Sequence, residues 1–218
     1  MLLSHKHNFL FVHIAKTGGT SIRSALQSYR WGHKYSLPMF IANKLSHLTQ
    51  HQIAAKFPRH SKIIAAKEML PTEYFNNLTK FSFVRNPWDL QVSSFYHIAR
   101  ERPEVMGGRT NFESFLKWKF DPSRSYQYHI DTSLELQTDY LIDLNGQLLT
   151  DFVGHYETLQ QDFDKICDQI GVKKVELPHK RKASDRTSYT SYYTDETAEL
   201  VYNHFKQDIE LLNYRYGD

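Results

Sequence analysis

The stretch from Phe9 to Ser21, FLFVHIAKTGGTS, limits what this chain can fold into more than any other. Phe9 to Ile14 is an apolar, β-favouring run of strand length. It passes directly into Ala15-Lys16-Thr17-Gly18-Gly19-Thr20-Ser21, after which Ile22, Ala25, Leu26 and Tyr29 recur at helical spacing. A strand, a glycine turn and a helix start form a geometry that holds phosphate. Glycine lets the backbone approach an anion, and the helix start offers N–H groups and a positive dipole end. Lys16 adds a mobile charge, while Thr17, Thr20 and Ser21 add hydroxyl donors. A Walker A loop requires its lysine after the glycines. Here Lys16 precedes Gly18 and Gly19, which argues against the usual binding of ATP or GTP. The same residues also fit an ordinary strand-to-helix turn with a surface lysine.

With 218 residues the chain suits one α/β domain spanning 1–218. A formal net charge of +3 suits a small anionic ligand and gives no case for nucleic acid, which needs a clustered basic face. The single cysteine, Cys167, excludes an internal disulfide and reads as a core residue. Leu2 and Leu3 run at once into Ser4-His5-Lys6-His7-Asn8, and no long apolar run follows. The expectation is therefore a soluble, cytoplasmic chain without stable membrane insertion. No His/Cys cluster points to a metal.

Further along, Lys44 to Phe57 reads as a helix and Ser61 to Ala66 as a short buried strand. Pro71 opens a short helix to Leu78. Lys80 to Val84 is a second clear strand. Behind it, Asn86 suits an N-cap, Pro87 the first helical position and Asp89 the first turn of a helix running to Ala99. The stretch 102–109 reads as a loop. Phe112, Phe115, Leu116 and Lys119 share one face of a helix from Phe112 to Phe120, and 121–133 is irregular. Asp139 to Asp143 and Gln147 to Tyr156 read as strands around Asn145-Gly146. Helices follow at Glu157 to Ile170 and Thr194 to Tyr214, separated by a basic polar loop from Lys173 to Tyr193. Strands alternating with helices predict a mostly parallel central sheet flanked by helices.

Arg85 leaves the carboxyl end of a strand, where ligands bind in open α/β sheets. Ser93 lies eight residues on, close to the helix face of Asn86, Asp89 or Leu90, and His97. An arginine fork and a hydroxyl suit a second phosphate. They equally suit a structural Arg–carboxylate pair beside a solvent-facing serine.

Taken together, the two stretches carry a family resemblance. HIAKTGGTSI resembles the 5′-phosphosulfate loop of sulfotransferases, and FSFVRNPWDLQVSSFYH resembles their 3′-phosphate strand and helix. The likeness is to the carbohydrate branch that includes heparan sulfate 2-O-sulfotransferase and its bacterial relatives. VGHYETLQQDFDKIC, LPHKRKASDRTSYTSYY and DIELLNYRY are similar to that family's closing region, so the resemblance covers most of the chain. It implies a P-loop-NTPase-like sulfotransferase fold and a donor, 3′-phosphoadenosine 5′-phosphosulfate (PAPS), with no metal. Lys16, Thr17, Gly18, Gly19, Thr20 and Ser21 are implied around the 5′-phosphosulfate, and Arg85 and Ser93 at the 3′-phosphate. Arg181, Lys182 and Arg186 are implied over the nucleotide, although that run also reads as a solvated basic loop.

The resemblance also implies a reaction. An acceptor hydroxyl of a carbohydrate or glycoconjugate attacks sulfur in line and PAP leaves, with Lys16 at the bridging oxygen. The family's base lies between the two phosphate motifs, an interval that here holds His33, His47, His51, His60 and Glu68. LSHLTQHQIAAKF aligns His47 best with it, with His51 and Glu68 behind. Trp118, Tyr126, Tyr128 and His129 are candidates for acceptor contact or for core. The chain departs from the family at Ala15, where proline is common, and at Leu90, where arginine is frequent. Arg181 and Ala183 stand where asparagine and serine are usual. A kinase-like nucleotide enzyme and a nucleotide-binding protein without chemistry are the competing readings.

Overall fold

The computed structural model describes residues 1–30, 41, 45, 57–178 and 188–218. The described residues fall into two compact units: those of 1–14, 18–84 and 139–180, and those of 15–17, 85–138 and 181–218.

The first unit carries the sheet. β1 (Leu2–Ser4) pairs antiparallel with β2 (Phe9–Val12). β2 pairs parallel with β3 (Thr79–Val84), and β3 parallel with β4 (Phe152–His155), giving the order β1-β2-β3-β4. All four β2 residues are buried, as a continuous apolar run on an inner parallel strand demands. Phe9, Phe11, Phe81 and Phe83 stand on one face. They pack against Ile22 and Leu26 of α1 (Gly19–Leu26) and Phe163, Ile166 and Cys167 of α7 (Leu159–Gln169). The Phe11 and Phe81 rings stack with centroids 5.3 Å apart. In the next register position Gly154 faces Phe83, and a Cβ there would sit 2.5 Å from the Phe83 ring, so β4 needs glycine at that point. Cys167 is buried in this core, and burial pushes its thiol up to about 11, which keeps it protonated and inert.

Among the described residues, α2 (Ile63–Met69) and α3 (Thr72–Asn76) lie between α1 and β3. The expected strand at 61–66 is thus a helix. Four apolar residues do not fix a period, and Ala65, Ala66, Lys67, Glu68 and Met69 are good helix formers. α2 buries Ile63 and Ala66 at helical spacing. Of the two strands expected around Asn145-Gly146, the second is present in part as β4, which pairs with β3, and the two join by one antiparallel bridge, Ile142 to Leu148. Asp143 accounts for the rest, because its side chain accepts from the backbone of Asn145 and Gln147 and folds the segment into a turn. β1 is not expected from the sequence; it is three residues long and pairs with β2 across a turn in which Asn8 holds φ at 49°. The expected helix at Lys44 to Phe57 falls almost wholly outside the described residues.

The second unit is helical around α4 (Pro87–Glu101). The Asn86 side chain accepts from the Trp88 N–H at 3.1 Å, and Pro87 follows at the first helical position. Trp88, Val92, Phe95 and Ile98 of α4 pack on Phe115 and Leu116 of α5 (Phe112–Lys119), with Val201, Phe205 and Ile209 closing the cluster. A short α6 (Tyr128–Asp131) lies within the stretch read as irregular. The helix expected from Thr194 to Tyr214 is two, α8 (Asp195–His204) and α9 (Lys206–Leu211), broken at buried Phe205. Phe205 keeps the apolar spacing through the break, so periodicity alone does not show it.

Candidate functional site

In the first unit the turn after β2 enters α1 through Gly18, whose φ of 79° lies in the left-handed region. No side chain caps this helix start, and its first turn holds no acidic residue. The Gly18 carbonyl accepts from Ser21 N at 3.0 Å and Ile22 N at 3.3 Å. The preceding N–H groups have no carbonyl within the helix, which is what an anion at a helix start uses. A Cβ on Gly18 would lie 2.9 Å from Leu159, and one on Gly19 would lie 2.2 Å from the His13 ring. Glycine at 19 therefore lets the backbone sit directly on His13. Thr20 is exposed, whereas the Ser21 hydroxyl donates to the Pro178 carbonyl at 2.7 Å. Ser21 thus spends its one hydroxyl hydrogen on the fold.

His13 is buried, and its Nδ1 has no hydrogen-bond partner among the described residues. Burial, then neighbouring His60, holds its pKa well below the usual histidine value, so it is neutral. The His60 ring lies 4.7 Å away, and its Nδ1 contacts the His13 carbonyl at 3.0 Å. A carbonyl accepts only, so Nδ1 carries the hydrogen and the basic lone pair of His60 is on Nε2.

In the second unit Lys16 holds φ at 67°, a left-handed conformation that costs a non-glycine residue about 1–2 kcal/mol. Arg85 offsets this strain by donating from NH1 to the Lys16 carbonyl at 3.0 Å. The Arg85 Nε and NH2 both donate to Asp89 Oδ2 at 2.6 Å, one turn along α4. The Arg–carboxylate pair anticipated as an alternative is therefore present, and it orients the guanidinium. The Arg85 backbone is clamped as well: its N–H donates to Gln137 Oε1 at 2.9 Å, and its carbonyl accepts from Gln137 Nε2 at 2.8 Å. Gln137 is held in turn by Asp208, which accepts from the N–H groups of Gln137 at 2.8 Å and Thr138 at 2.9 Å. Burial raises the Asp208 pKa, while those N–H bonds favour the charged form. Ser93 is half-buried on α4, along the same edge as Asp89 and His97.

Sequence reasoning did not find Gln137, Asp208 or the role of His13. Gln137 sits in a patternless stretch and had no signal. Asp208 had one, an acid set beside Ile209 in the apolar stripe of the last helix. His33, His47, His51, Arg181, Lys182 and Arg186 lie outside the described residues. Glu68 is exposed on α2. Of the acceptor candidates, Tyr126, Tyr128 and His129 reach solvent, while Trp118 is half-buried with the Arg109 guanidinium 4.3 Å from its ring centroid. Among the described residues, no helix is long and apolar enough to cross a membrane, and no three His, Cys, Asp or Glu side chains gather as metal ligands.

Each unit thus carries groups that suit an anion: a bare helix start in the first, and in the second a strained lysine and an arginine oriented by a carboxylate. The model of the sulfotransferase family matches residues 1–215. Carbohydrate sulfotransferase 10 of Xenopus laevis is 24% identical across 99% of this chain and 67% of its own length. Carbohydrate sulfotransferase 11 of Mus musculus is 23% identical across 98% of this chain and 66% of its own. An uncharacterised protein of Archaeoglobus fulgidus is 31% identical over 45% of this chain.

Proposed function

The chain belongs to the sulfotransferase family, and we propose that it transfers a sulfuryl group from PAPS to a carbohydrate hydroxyl. The observation that carries the donor assignment is the β2–α1 turn, with an uncapped helix start and Lys16 ahead of the glycines rather than behind them. In this proposal Lys16, Thr17, Gly18, Gly19 and Thr20 hold the 5′-phosphosulfate. For Ser21 to join them, its hydroxyl must leave the Pro178 carbonyl and donate to the anion instead. Arg85 and Ser93 take the 3′-phosphate, and Arg181, Lys182 and Arg186 complete the nucleotide contacts. The names of the relatives support a carbohydrate acceptor.

The acceptor oxygen forms a bond to sulfur while the bond from sulfur to the phosphate oxygen breaks, and the electron pair leaves with PAP. Lys16 neutralises the charge growing on that oxygen. The acceptor proton goes to a base, assigned to His47 by the resemblance. His51 and Glu68 stand behind it, and we add His60, whose Nδ1 donates to the His13 carbonyl.

The test is a panel of saccharides and glycoconjugates incubated with PAPS, following PAP release and the sulfated product. Release that depends on a saccharide supports the assignment. PAP binding without turnover across the panel favours a binding protein instead. His47→Ala and His60→Ala separate the bases: the variant that loses turnover while keeping PAP affinity identifies the group.

A further inference from the structure

The last turn of α5 carries a lysine where its apolar stripe calls for a hydrophobe. Lys119 shares its face with Phe112, Phe115 and Leu116 and is fully buried. Its Nζ lies 2.6 Å from Gln91 Oε1, 3.0 Å from Ser94 Oγ and 2.8 Å from Ser133 Oγ, all of them neutral groups. One assignment of the hydrogens satisfies every contact in this cage. The Ser133 hydroxyl donates to the Ile130 carbonyl at 2.9 Å, which leaves the Ser94 hydroxyl to donate across the 2.9 Å to Ser133. Both serine hydrogens are then spent, and Gln91 Oε1 can only accept. In that assignment all three bonds to Nζ use its own hydrogens. A neutral amine has two and an ammonium has three, so this assignment calls for the ammonium.

Burial opposes that charge. Desolvation pulls the Lys119 pKa well below the usual lysine value, the charges of Arg124 and Lys16 lower it further, and Asp131 opposes them. Asp131 is itself bound by Arg124, which donates to it from both NH1 and NH2. No carboxylate lies within bonding distance of Lys119 among the described residues. A caged cation without a paired anion is costly unless something anionic offsets it. Two of its three cage partners, Gln91 and Ser94, belong to α4 and flank Ser93 in sequence.

We propose that Lys119 is a positioning residue of the donor site, pinning the turn of α4 that carries Ser93 while its charge, added to that of Lys16, favours a polyanionic nucleotide. This rests on the donor reading above, and its chemistry selects a ligand with several phosphate charges over a monoanion.

The experiment measures PAP affinity by calorimetry on the full chain at low and high salt, for wild type, Lys119→Met and Gln91→Glu. Gln91→Glu keeps the shape of the cage and an acceptor for Nζ but cancels the charge. Each variant is expected to weaken PAP by about tenfold, a loss that persists at high salt because a buried charge is poorly screened. A folded Gln91→Glu protein with wild-type PAP affinity overturns the charge role. Selective 15N-lysine NMR supplies a readout independent of PAP and of the folding of Lys119→Met. A slowly exchanging ammonium signal at neutral pH, shifted in Gln91→Glu, is expected, and a neutral amine at Lys119 overturns the inference. A wild-type protein that shows the ammonium yet fails to bind PAP removes the donor reading and this role for Lys119 together.

Discussion

Two strand-to-helix turns, one after β2 and one after β3, differ in what completes them. The chain enters α1 through Gly18 with no side-chain cap and no acid in the first turn. It enters α4 through Asn86, which caps Trp88 N–H, with Pro87 next and Asp89 in the first turn. The Asn86 amide also donates to the Arg215 carbonyl at 2.9 Å, so this cap is tied into its own unit. The α4 start is already satisfied and its dipole already complemented, which leaves little there for an anion. The α1 start lacks both. The two turns thus offer different things, α1 a bare backbone and the β3–α4 turn side chains such as Arg85.

The sharpest way to break this contrast is to remove the charge at the bare turn. Lys16→Ala is expected to lower turnover by about 10²–10³-fold, as for other groups that meet charge in the transition state. Steady-state kinetics with saturating PAPS checks it, and a variant as fast as wild type removes Lys16 from the chemistry. Gly19→Ala probes the backbone itself. Its Cβ would fall 2.2 Å from the His13 ring, so the turn must shift, at a cost of about 1–3 kcal/mol for overpacking. Thermal melts and PAP titration should show lost stability and lost affinity together. If Gly19→Ala binds PAP like wild type, the close approach is not needed for the ligand. The smallest effect belongs to the self-contained turn. Asn86→Ala should cost about 1–2 kcal/mol of stability, read by denaturant unfolding, as for other lost caps. Its PAP affinity should fall less than that of Gly19→Ala, and the reverse order would erase the distinction between the turns.

Both turns were legible in the sequence because their signals are local. Glycines after an apolar run, and Asn-Pro-x-Asp after another, specify their helix starts without help from distant residues. What holds the arginine was not legible. Gln137 and Asp208 reach the Arg85 backbone from far along the chain, and no spacing rule links such positions. The strand expected at Ile63 failed for a related reason, since a four-residue apolar run is decided by what it packs against. Phe205 shows the limit of periodicity, for it marks an apolar stripe and a helix break at once. Lys119 was placed on the correct face, but its cage comes from α4 and from the stretch after α6, which the pattern could not bring together.

The measurement closest to the central claim is the affinity of the wild-type chain for PAP, adenosine 5′-phosphate and ATP with magnesium, set beside the same series for Arg85→Ala. The account predicts that PAP binds tightest to wild type, that removing the 3′-phosphate costs about tenfold or more, and that Arg85→Ala erases this preference. ATP with magnesium binding more tightly than PAP, or an unchanged PAP preference in Arg85→Ala, would contradict it.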